Sequence, residues 1–145
     1  MLGLLVAVHV MANVVWIGAI ASVGWLVRRA SDASLADSER KTLAQAAYQL
    51  LYKRAAMPAF VVSFLAALAR VGVDPKSYFS QHWFHGKLLF GLVVIALHHV
   101  IGAKAKKADS GSMQGSESSA ILTGALLAAA FLTVVFAVMK TSLVP

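Results

Sequence analysis

Four stretches of this chain stay apolar for about the thickness of a bilayer's hydrocarbon core: 2–27, 55–71, 83–103 and 120–139. In lipid a backbone N–H or C=O has no water to bond, so each stretch must satisfy its own polar groups, which a helix does. Composition agrees. The chain is 59% hydrophobic and 13% charged, where a soluble domain runs nearer 45–50% apolar and about 25% charged. The expectation is an all-α protein: a four-helix transmembrane bundle forming a single membrane domain over 1–145. The first run lacks a basic leader region and a small-residue cleavage site, and is read as a span rather than a signal peptide.

Between the first two spans lies a polar stretch with Asp32, Asp37, Glu39, Arg40 and Lys41. Ser38 to Tyr52 is free of Gly and Pro and rich in Ala, Leu and Gln, which predicts a short amphipathic helix lying at the interface. Pro58 is placed in the first turn of the second span, where proline is tolerated. Ser and Gly crowd 109–119 and mark a loop. The last span holds no ionisable group; Thr123 and Thr133 can bond back to their own helix, which gives this span a packing role.

The net charge of +7 could suggest nucleic acid, but the cations sit in short connections beside apolar runs, where they set topology and meet anionic lipid. Six lie in the first connection (Arg28, Arg29, Arg40, Lys41, Lys53, Arg54) and three in the third (Lys104, Lys106, Lys107). The second has two (Arg70, Lys76), and Lys140 stands at the C-terminal end. The positive-inside rule then puts the first and third connections in the cytoplasm and both termini outside, in a bacterial-type inner membrane. With no cysteine, thiolate metal sites and iron–sulfur clusters are excluded, as is c-type haem attachment.

The third span, Trp83 to His99, carries His85, Lys87, His98 and His99. A charge at membrane depth costs about 2.5–3.5 kcal/mol on the most lenient scale, so such residues mark a site. Lys87 and His98 lie within roughly 20° of each other around a helix, and His85 and His99 within roughly 40°. In the first span, His9, Asn13 and Trp16 share one stripe. At about 1.5 Å per residue these residues fall into two layers. The outer holds His9, His85 and Lys87; the inner holds Arg54, His98 and His99, with Glu117 on the same side. His9 pairs with Lys87 by depth, and Arg54 with His98. Trp16, Trp25 and Trp83 read first as anchors of an aromatic belt.

Neutral imidazole is an axial ligand for haem iron, and porphyrin propionates call for Arg or Lys. A helical bundle with inward histidines can hold haem b, and one haem is the economical reading because the first span has a single histidine. His9 and His98 are the candidate metal ligands or proton-transfer groups, with His85 as a further cofactor-binding residue. Lys87 and Arg54 would hold propionates or move protons.

The chain resembles the HemJ-type protoporphyrinogen IX oxidases and the wider group of small CopD-like membrane proteins over nearly its whole length. The resemblance is carried by H-V-M-A-N-V-V-W-I-G (His9 to Gly18), Y-K-R-A-A-M-P (Tyr52 to Pro58) and W-F-H-G-K-L followed by H-H-V-I-G (Trp83 to Gly102). His85, Lys87, His98 and Gly102 match the family's third-span pattern at each place. The chain departs from the family near Trp25, where an arginine would fall, and at Ser119, where a proline would. The resemblance implies oxidation of a tetrapyrrole, protoporphyrinogen IX, to protoporphyrin IX with haem b as cofactor. A quinone or another respiratory acceptor would take the electrons, and a homo-oligomer is an open alternative to a single chain. Two other classes compete: a CopD-like copper-handling protein using His with Met11 and Met57, and a non-enzymatic bundle or assembly subunit whose polar residues specify helix packing.

Overall fold

The structure is a computed structural model and describes residues 2–139; Lys140 lies outside the described residues. Among them there is no strand, and four helical stretches are long and apolar enough to cross a membrane. Helix α1 covers Leu2–Ala30. It ends on Arg28 and Arg29, whose charge suits the negative end of a helix dipole. The Arg40 Nε also donates to the Ala30 carbonyl at 3.0 Å, satisfying one of the last carbonyls. In the connection that follows, Ser34 donates to Asp32 through both its hydroxyl and its N–H, at 2.7 and 2.9 Å. Those bonds hold the Asp32 carboxyl below the ordinary range.

Helix α2 (Asp37–Gln45) begins with the Glu39 carboxylate accepting the Ala36 N–H at 3.2 Å. The amphipathic segment does not stop before the second span. It runs through a π-helical segment, Ala46–Ala56, into α3 (Met57–Val73), a continuous stretch of 37 residues. At about 1.5 Å per residue that is roughly 55 Å against a hydrocarbon core of about 30 Å, so its polar N-terminal part extends beyond the bilayer. Pro58 therefore lies inside a long helical run. Its ring would clash with the carbonyl four residues back in an α-helix, and the wider π turns end just before it.

Asp74 caps the short helix α4 (Pro75–Phe79) by accepting the Ser77 N–H at 3.2 Å. Helix α5 (His82–Asp109) crosses back. Its turn into the last helix uses Gly111 and Gly115 at φ 94° and 75°, and Lys104 Nζ fastens the Gly115 carbonyl at 2.6 Å. A 3₁₀ turn at Ser116–Ser118 leads into α6 (Ser119–Val138). Thr123 and Thr133 bond the carbonyls of Ser119 and Ala129 in their own helix, at 2.8 and 2.9 Å.

Helix α1 is the hub, packing on α3, the π segment, α5 and α6. Helices α5 and α6 lie close together because Gly86 leaves room for Phe136, which also stacks on Phe90. Gly24 gives Thr123 the same room between α1 and α6. Helix α3 meets α5 through side chains, with Met57 and Phe60 lying against His98 and Phe60 also against His99.

Candidate functional site

Two polar nodes lie against the inward face of α1, and each joins α1 to another helix. The first is built on His9. Its Nδ1 lies 2.9 Å from the Ser63 carbonyl, an acceptor only, so Nδ1 carries the proton. Ser63 Oγ donates to Asn13 Oδ1 at 2.9 Å, which turns the Asn13 amide toward His9, where Nδ2 sits 3.0 Å from Nε2. His9 is therefore a neutral imidazole whose Nε2 lone pair faces away from the carbonyl. Ser63 is buried and His9 only half-buried. The Lys87 charge on α5 and the Arg70 charge on α3 both reach this imidazole. Arg70 is itself held by the Tyr78 hydroxyl at 2.6 Å. Lys87, expected beside His9 by depth, and Arg70, read from the sequence as a topology charge, are the two cations whose fields reach His9.

The second node is His98, which has 0% exposure. The Trp16 indole N–H donates to its Nδ1 at 3.0 Å, and its Nε2 faces the Met57 sulfur at 3.2 Å. An indole N–H can only donate, so Nδ1 must be bare. The ring is then neutral and carries its proton on Nε2. Tyr52 stacks on one side (centroids 5.2 Å apart, 27° between planes), and Phe60 lies 5.2 Å away at 31°. Gly102 makes the Tyr52 position available, since a Cβ there would fall inside the Tyr52 ring. Tyr48 extends the stack toward the N-terminal end of the 37-residue helical run, 5.8 Å from Tyr52.

The remaining expected residues lie elsewhere. Arg54 is exposed, and among the described residues it makes no hydrogen bond or ion pair. It does not meet His98. It stands at the end of a surface crease between α1 and α3, about 520 Å³ in volume, lined by apolar residues such as Met11, Val15, Pro58 and Val62. His99 is exposed on the far side of His98, touching Phe60. His85 is exposed and lies 6.5 Å from the His82 ring. Glu117 is exposed in the 3₁₀ turn. Trp16 departs from the belt reading: at 7% exposure it is a core residue, while Trp25 is exposed at 58%. Tyr52 and Phe60 were not singled out from sequence, though the residue four after His98 being glycine was a usable sign of a bulky neighbour.

Comparison with family models, curated proteins and solved structures gives no match.

Proposed function

We propose that this chain is a haem b-binding membrane oxidoreductase that oxidises protoporphyrinogen IX to protoporphyrin IX in haem biosynthesis, in the inner membrane of a bacterial-type cell. The supporting observation is the His9 node. A metal-ligating histidine usually donates its other ring N–H to a carbonyl or carboxylate, which fixes the tautomer and raises basicity. Ser63 gives His9 that arrangement, and the nearby Lys87 and Arg70 charges suit the carboxylates of a tetrapyrrole. The third-span resemblance points to the same substrate. Arg54 at the apolar crease offers a second place for a carboxylate beside an apolar macrocycle.

Haem b, when bound, supplies one-electron redox steps. The chain's own tasks are positioning and charge. His9 presents Nε2, Ser63 and Asn13 hold the ring, and Lys87 and Arg70 orient anionic groups at the outer half of the bundle. Protoporphyrinogen loses six electrons and six protons, so three quinones of the bilayer, each taking two of each, balance the reaction as three quinols. Complementation of a bacterial strain lacking protoporphyrinogen oxidase should be restored by this chain and lost in Lys87→Ala. The detergent-purified protein should show a Soret band with reduced b-type peaks. A colourless protein that fails to rescue the strain would sink the proposal.

One contact favours a second reading. The Met57 sulfur beside His98 Nε2 is a soft ligand next to an imidazole, a combination that suits Cu(I). Trp16 opposes it, because a donor on Nδ1 leaves Nε2 protonated. Stoichiometric Cu(I) binding that disappears in Met57→Leu would favour copper handling over the haem reading.

A further inference from the structure

His9 and His98 look alike in sequence, each an imidazole in an apolar helix, but the atoms facing their nitrogens are opposite in kind. His9 has an acceptor at Nδ1, the Ser63 carbonyl, and a bare Nε2. His98 has a donor at Nδ1, the Trp16 indole, and a protonated Nε2. To give Nε2 to a metal, His98 would have to move its proton to Nδ1, where it would point at another N–H. That exchange replaces a buried hydrogen bond with two opposed donors in a closed aromatic box. Nor can Nδ1 serve, since Trp16 already occupies its lone pair. At His9 the obstacle is smaller: the Asn13 amide stands at its Nε2, and both side chains are only partly buried.

We infer that the two imidazoles are not a ligand pair: His9 alone offers a metal-binding lone pair, and His98 is a positioning residue locked as its Nε2–H tautomer by Trp16. Resting on the haem reading, this assigns the iron one imidazole from this chain, in the outer half of the bundle. Asn13 is a competitor for the same lone pair and must swing aside when the metal arrives.

The tautomers can be read without any metal. In the full chain, ¹⁵N-labelled at histidine and purified in detergent without haem, two-bond ¹H–¹⁵N correlations of the imidazoles report which nitrogen is protonated. Signals assigned with His9→Asn and His98→Asn variants should show His98 protonated at Nε2 and His9 at Nδ1. Trp16→Phe should release the His98 pattern and leave that of His9 unchanged, an effect that general loosening of the core would not produce. Finding His98 protonated at Nδ1 in the unaltered chain overturns the inference.

Haem titration supplies the ligand arm. His98→Asn should keep the Soret band and its ferric high-spin signature, and His9→Asn should lose it. Asn13→Ala should tighten haemin binding by roughly two- to tenfold, the worth of one released neutral hydrogen bond. A low-spin bis-imidazole spectrum that depends on His98 overturns the inference. If the unaltered chain binds no haem at all, the haem reading falls and the ligand assignment with it, while the tautomer assignment is decided by the correlations alone.

Discussion

An imidazole within a bilayer can be a ligand, a proton carrier or a packed hydrogen-bonding group, and the atoms facing its two nitrogens determine which. For His9 the sequence came close. The stripe of His9, Asn13 and Trp16 is visible from spacing, and the first two do bond each other. What spacing could not give is the partner on another helix: Ser63 for His9, and Trp16 for His98. A tryptophan in an apolar run reads as an interface anchor until depth and neighbours are known. Gly102 is the residue-scale test of the His98 node. Gly102→Ala would drive a methyl into the Tyr52 ring and force it off His98. Overpacking of this kind costs about 1–3 kcal/mol. It should appear as a lowered thermal midpoint in detergent, and Tyr52→Leu in the same background should recover part of it.

At the scale of elements, run length and polarity made all four spans legible, because a bilayer leaves an apolar segment few alternatives. The π segment was not legible. Its composition is ordinary for an α-helix, and the added width per turn shows only in hydrogen-bond register. Pro58 was the available clue, since a proline inside a helical pattern must disturb the turn before it. That segment has a consequence for the site, because it sets the angle at which Tyr52 leaves the helix relative to Met57 and Phe60. Deleting Ala55 would rotate Tyr52 by about 100° about the helix axis. The stack on His98 should be lost, with a fall in stability of about 2–3 kcal/mol.

For the whole molecule, the absence of cysteine makes topology directly measurable. Single cysteines placed by Ala33→Cys and Ser112→Cys lie in the first and third connections, and one placed by Ser77→Cys lies in the second. All three positions are exposed. From the distribution of Lys and Arg, a membrane-impermeant maleimide should label Ser77→Cys in intact cells and reach the other two only after permeabilisation. The reverse pattern would turn the bundle over and move His9 to the cytoplasmic leaflet.

The helices also differ in how they tolerate a change of bilayer. Helix α5 spans 28 residues, and the rod from Asp37 to Val73 spans 37, so both carry polar turns beyond the hydrocarbon. Helix α6 has 20 residues, a length of about 30 Å, with no ionisable side chain to snorkel. A thicker membrane can slide along the longer helices, but it bears on both ends of α6 at once. Because α6 is packed on α5 and α1, hydrophobic mismatch there is shared with the helices that carry His98 and His9. Reconstitution in lipids of increasing acyl length should therefore lower the thermal midpoint through α6, a helix that supplies no side chain to either node.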